Sequence, residues 1–384
     1  MNGGEGIRRG CSVARHPVLA AREFHGLVAQ PDGGGLVVFF CSASYELDAL
    51  GEELARLFAG AHVIGCTTAG EIGPAGYLDG SITGFSIPAR DGCAASALIP
   101  GLSAFQMSQG HGAAEAVTAV LLRRSGTALD PATTFAMLLS DGMSTNEEAL
   151  VASIHGRIGN VPLLGGSAGD DLRLKQTFVY HEGRFHPDAA LLTLIRTRCP
   201  FRLYRCQHFS GSETKMVVTQ ADPAARVVAE INAEPAGREY ARIAGLDVAS
   251  LTPMLFAECP VMVRVGGDYH VRSIQKMNED GSLTFFCAID EGVVLTLARR
   301  EDIVANLESF FEGVRRDLGQ PQLVIGFDCI LRSLEAETRQ AKHRLGRILS
   351  ANNVIGFSTY GEQFGAMHVN QTFTAVAIGE AGAA

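Results

Sequence analysis

Three glycine-rich stretches of this 384-residue chain bring hydroxyls and carboxylates close together in sequence. They are Gly65-Cys-Thr-Thr-Ala-Gly70-Glu71, Gly165-Gly-Ser-Ala-Gly169-Asp170 and Gly356-Phe-Ser-Thr-Tyr-Gly361-Glu362. The middle one contains Gly-x-Ser-x-Gly, the pattern of a hydrolase nucleophile elbow, with Ser167 as the nucleophile. An elbow needs a strand before the serine and a helix directly after it. Here Asp170-Asp-Leu-Arg-Leu-Lys175 runs on toward another strand, and the sibling stretches carry Thr67 and Ser358 at the same place. The hydroxyls therefore read as turn formers, and no catalysis is expected. Glu71 and Glu362 follow their turn glycines directly. Such a carboxylate either lines a ligand cleft at the strand ends or accepts backbone N–H bonds and holds the turn shut; the second reading is favoured.

The other reactive residue types form no site by spacing. The eleven histidines include no His-Glu-x-x-His. His25, His155 and His343 fall in helical stretches, His111 opens one, and His16 precedes Pro17. His181 and His186 flank the turn Glu182-Gly183-Arg184. His368 stands apart, in an apparent loop between the third glycine turn and the strand after it. Nine cysteines, an odd number without Cys-x-x-Cys, give neither a zinc site nor a disulfide framework. Cys41, Cys66 and Cys329 read as reduced core thiols. No Walker loop and no Gly-x-Gly-x-x-Gly after a strand points to a nucleotide.

The elements that must position these turns repeat three times. Leu36–Cys41 reads as a strand, followed by an amphipathic helix with Leu47, Leu50, Leu54, Leu57 and Phe58 on one face and Ser44 as N-cap. The first glycine turn and the strand Ser81–Ile87 complete that unit. The second unit starts at Phe135–Ser140, with a capping box at Ser144-Thr-Asn-Glu147. The third has the strand Leu323–Cys329, a helix over Ser333–Leu349 and the strand Thr372–Ile378. Parallel crossovers in strands apolar on both faces predict an α/β fold of layered sheets covered by helices. The stretch Phe201–Leu297 differs in texture and reads as an antiparallel-rich insert between the second and third units, with helical stretches at Pro223–Ile231 and Glu234–Ala244. Two domains are expected, 1–200 and 201–384.

Composition narrows the function further. With 32 Lys+Arg against 41 Asp+Glu the formal charge is −9, which disfavours nucleic acid and anionic membrane as partners. No apolar run approaches the ~20 residues of a bilayer span, and residues 1–15 do not resemble a signal peptide. A cytoplasmic location is expected.

The three glycine turns resemble the hallmark turns of FIST domains, an N-terminal and C-terminal pair found in signalling proteins. Val271-Arg-Ser-Ile-Gln275, Phe286-Cys-Ala-Ile-Asp-Glu-Gly292 and Met367-His-Val-Asn-Gln-Thr372 resemble the stand-alone nitric-oxide-sensing branch in particular. That resemblance implies a sensor that binds haem b and reports nitric oxide by contact to a histidine kinase or a cyclic-di-GMP enzyme, as a possible homo-oligomer. The alternative it implies is a FIST module that binds a small amino-acid-like metabolite without haem. Granting haem, a gas sensor is best served by one imidazole on a movable segment. His368, flanked by Gly361 and Gly365, is then the expected iron ligand, and His270 and His208 are the alternatives. Phe364, Met367, Val369 and Phe373 would face the porphyrin. Asn370 or Gln371 would fix the imidazole tautomer, and Tyr360 and Glu362 complete the expected cofactor-binding set.

Overall fold

The computed structural model describes residues 6–380. Three mixed sheets surround one core, and each is built by the same chain path. In the first, Leu36–Ser42 pairs parallel with His62–Thr68 across the helix Leu47–Leu57. Ile82–Ile87 returns antiparallel on the other side, and Arg8–Ser12 adds outside it. The second repeats this with Thr134–Ser140, Leu163–Ser167, Ala189–Thr197 and Gly92–Pro100. The third uses Leu323–Cys329, Val354–Thr359, Phe373–Ile378 and Phe201–Cys206. The expected pseudo-symmetry of 36–87 and 323–378 is present.

Strand periodicity explains why both faces read as apolar. In Leu36–Ser42, Val38 and Phe40 point inward to a cluster shared with Met137, Leu139, Ile325 and Phe327 of the other two sheets. Val37, Phe39 and Cys41 point outward, against Leu50 and Leu54 of the covering helix. Phe40, Phe327 and Phe357 form an aromatic triangle with ring centroids 4.8–6.3 Å apart where the three sheets meet.

A feature absent from the sequence reading ties the units together. After each glycine turn the chain makes a β-hairpin and gives it to a neighbouring sheet. The first hairpin, Glu71–Gly73 with Gly76–Leu78, pairs with Val354–Thr359 of the third sheet. The third, Glu362–Phe364 with Met367–Val369, pairs with Leu163–Ser167 of the second. The second, Val179–His181 with Arg184–His186, pairs with His62–Thr68 of the first. The exchange closes a ring of three.

Several local expectations are corrected. The insert lies inside the third unit, because Phe201–Cys206 already pairs with Phe373–Ile378 while 209–300 forms a separate eight-stranded antiparallel sheet. Pro223–Ile231 is no helix: Val227–Ile231 is a strand, with Val228 and Ile231 facing the insert core. The helix over Ser333–Leu349 is two, Ile330–Thr338 and Lys342–Ala351, broken where Gln340 takes a φ of 56°. Glu46, not Ser44, caps Leu47–Leu57 by accepting from the Ala49 N–H at 2.8 Å. The capping box at Ser144–Glu147 does not form, and Asn146 stands at the N-cap of Glu147–Ile158 without a side-chain capping bond, its Nδ2 donating to the Leu102 carbonyl instead. Among the described residues no helix is long and apolar enough to cross a membrane.

Candidate functional site

The three glycine turns meet around the pseudo-threefold axis. Each gives a backbone N–H to the next sheet: Ala69 to the Ser358 carbonyl at 3.1 Å, Gly169 to that of Thr67 at 3.0 Å, and Tyr360 to that of Ser167 at 3.3 Å. A glycine begins each motif because the parallel partner strand comes too close for a side chain. A Cβ on Gly65 would lie 2.5 Å from the Phe39 carbonyl oxygen, on Gly165 1.9 Å from that of Leu138, and on Gly356 1.8 Å from that of Gly326.

Most hydroxyls and carboxylates of the motifs bond within or between these turns, although Glu362 Oε1 is buried without a partner. Ser167 is fully buried, 3.2 Å from the Ser140 hydroxyl, and accepts from Gln363 Nε2 at 3.0 Å. No helix follows it, so it is not presented as an elbow nucleophile is. Glu71 accepts from Ser81 N at 2.9 Å and Ser81 Oγ at 2.6 Å. Glu362 accepts from Thr372 N at 3.1 Å and Thr372 Oγ1 at 2.7 Å. Asp170 accepts from the backbone of Leu174, Lys175 and Gln176, and from the Tyr360 hydroxyl at 2.5 Å. Burial raises the carboxyl of Glu71 to about 7 and that of Glu362 to about 8, although the hydroxyl bonds pull the other way. These groups latch the hairpins.

The expected cofactor set falls on the third hairpin, and its placement corrects the reading of His368 as a loop residue. His368 lies mid-strand in Met367–Val369, paired with Gln363, and is buried. Alternation of side chains puts Phe364 and Met367, a directly opposed pair, on the other face of the hairpin from His368. The three do not share one surface. The His368 ring sits against Gly361, where an added Cβ would be 2.2 Å from Cε1, and its Nε2 is 3.5 Å from Asn370 Nδ2. Its Nδ1 is buried without a partner. Burial lowers its pKa to about 4, with Arg226 and Arg272 acting the same way and Glu148 opposing, so the imidazole is neutral at neutral pH. Of the alternatives, His270 is bonded to Arg205 at 2.7 Å, and His208 is held between Arg332 and Glu335 at 2.7 Å each.

Beside this hairpin, the insert is clamped to the ring. Arg226 donates to Glu147 at 2.6 Å and Glu148 at 2.7 Å, both in the first turn of Glu147–Ile158, and to the Phe286 carbonyl at 2.9 Å. Arg272 reaches the His368 carbonyl at 3.5 Å. The same Arg272 lines a groove of ≈ 580 Å³ in the insert, with Lys215, Arg264, Tyr269, Asp290 and the apolar Val263, Ile289 and Val293. The Arg264 guanidinium lies 5.8 Å above the Tyr269 ring. Sequence reasoning missed this groove because its cations come from different strands. Among the described residues no group of three or more His, Cys, Asp or Glu is placed to hold a metal ion.

Residues 35–234 match the FIST N domain and residues 236–365 the FIST C domain. The chain belongs to the FIST family. FIST domains are small-molecule sensing modules of signalling proteins. The two matched stretches meet within the insert, and neither contains a whole ring. No curated protein matches the chain. Two solved cyanuric acid hydrolase structures are similar over 97% of this chain and 99% of theirs. One, from A. caulinodans, has 8% identity and a TM-score of 0.38, and the other 9% and 0.37.

Proposed function

We propose that this FIST protein is a sensory module whose insert groove takes a small polar metabolite with a carboxylate, an amino-acid-like zwitterion being the simplest case, and that it carries out no catalysis. The observation that carries the reading is Arg272, which lines the groove and also touches the His368 carbonyl. Lys215 and Arg264 offer further cationic donors for a carboxylate, Asp290 an acceptor for an ammonium, and Val263, Ile289 and Val293 an apolar wall. Occupancy that draws Arg272 into the groove would loosen its hold on the third hairpin, which is bonded into the second sheet. The signal then passes by contact to a partner, for which a histidine kinase or cyclic-di-GMP enzyme is the class we favour.

Haem b sensing of nitric oxide is the second reading, favoured by the neutral, buried His368 imidazole and its unpartnered Nδ1. The residues around it do not fit a porphyrin in this conformation. Phe364 and Met367 face away, and Glu148, Arg226 and Arg272 supply charge on the histidine's side.

Both readings are tested on one preparation. Amino acids and dicarboxylates should raise the melting temperature of the wild type, since a ligand that binds only the native state stabilises it, and Arg272→Ala should lose that response. Added haemin should leave the spectrum as free haemin. A stoichiometric Soret band that shifts with nitric oxide and is lost in His368→Ala would replace the metabolite reading by the haem one.

A further inference from the structure

A second cleft lies at the start of the strand His62–Thr68, the end away from its glycine turn, where the first unit meets the second. It has ≈ 390 Å³ and is walled by Ala55, Phe58 and Val120 from two helices, with His62, Ser96, Arg124 and His181 as its polar lining. A smaller cleft of ≈ 320 Å³ adjoins it and shares His62 and Arg124.

The polar groups here form an ordered chain. Thr193 Oγ1 is 2.7 Å from Ser96 Oγ, which is 2.7 Å from His62 Nε2. With Nε2 engaged, His62 Nδ1 has no partner among the described residues, although the ring is only half-buried and stands in the cleft. Arg124, in the last turn of Met107–Ser125, donates to the Ala94 carbonyl, which fixes its guanidinium between the two clefts. A pre-placed guanidinium loses little freedom on binding an anion.

We propose that this cleft binds a small monocarboxylate with an apolar body. Arg124 takes the carboxylate, and His62 Nδ1–H donates a second hydrogen bond to it. The proton order is then Thr193 O–H to Ser96 Oγ, Ser96 O–H to His62 Nε2, and Nδ1–H to the ligand. Phe58, Ala55 and Val120 cover the apolar body. Glu182, on the turn of the second hairpin, also lines the cleft and disfavours a ligand with two negative charges. Burial, together with Arg124 and His181, holds the His62 imidazole neutral, with a pKa near 4, so it enters the site as a donor without charge. The site is independent of the insert groove, with which it shares no residue.

The test is NMR titration of the full chain with butyrate and benzoate, with inorganic phosphate and butylamine as comparisons. The expected result is saturable change in the His62 ring signals for the two carboxylates at millimolar concentration, little change for phosphate, and none for butylamine. The nitrogen shifts should report Nδ1–H. Arg124→Ala should weaken binding at least about tenfold (~1.4 kcal/mol), and Val120→Trp should abolish it by filling the cleft. Carboxylates that leave His62 unmoved, or that bind Arg124→Ala as tightly as the wild type, overturn the proposal. An equal response to phosphate and butyrate overturns the monocarboxylate assignment.

Discussion

Glu362 and Glu71 show how burial turns a turn-forming carboxylate into a pH-dependent one. Both pKa values are raised above the unfolded value near 4.5, to about 8 and about 7. The native state therefore holds protons that the unfolded state has released, and the stability contributed is present below about pH 4.5 and lost as pH rises through 7 to 8. Glu362→Gln keeps an acceptor for Thr372 without the titration. In melting curves from pH 5 to pH 8.5 it should match the wild type at the acid end and exceed it at the alkaline end; parallel curves would refute the protonated Glu362. His368 works in the opposite sense. Its lowered pKa makes its contribution present above about 6.5 and lost as pH falls toward 4. Arg226 is a simpler case. Removing it as Arg226→Ala leaves Glu147 buried without its cation and should cost about 3–5 kcal/mol in denaturant unfolding.

The hairpins are the elements that join the three units, and each is fixed by a few contacts outside its own sequence. Tyr77 of the first hairpin donates to Asp328 of the third unit at 2.5 Å, and Asp328 also accepts from Arg332 at 2.8 Å. Tyr77→Phe should cost about 1.5–3 kcal/mol, the range for a hydrogen bond to a charged group, and should speed hydrogen exchange in 71–78 before the rest. The third hairpin depends on Gly361, where the His368 ring occupies the space a methyl would need. Gly361→Ala should destabilise by about 1–3 kcal/mol and shift the His368 ring signals. The same hairpin shows where the sequence became illegible. Its strands are three residues each, too short to display a period of two, so His368 read as a loop residue.

At the scale of the molecule, cyclic exchange means that no unit is complete alone. The FIST N stretch 35–234 keeps the first hairpin but lacks Val354–Thr359 on which it pairs, and it exposes Leu163–Ser167, the strand that receives the third hairpin. An unpaired edge and a divided core do not make a stable domain. A chain ending at residue 234 should show no cooperative thermal transition, and co-expression with 235–384 should restore one. A fragment that melts cooperatively by itself would contradict the ring.

The sequence by itself determined the local pattern. Apolar runs on both strand faces required covered sheets, three recurrences of Gly-x-[Ser/Thr] required three equivalent turns, and Phe201–Leu297 stood out by its different texture. The carboxylates after the turn glycines were legible as turn locks because their partners, Ser81 and Thr372, lie only ten residues away. Tertiary structure alone decided which sheet receives each hairpin, that Phe201–Cys206 belongs to the third unit, and that Arg226 and Arg272 meet Glu147, Glu148 and the His368 strand. The reason is range. Periodicity records which side of an element is dry, whereas contacts such as Tyr77–Asp328, 251 residues apart, depend on how closed sheets pack and leave no trace in local spacing.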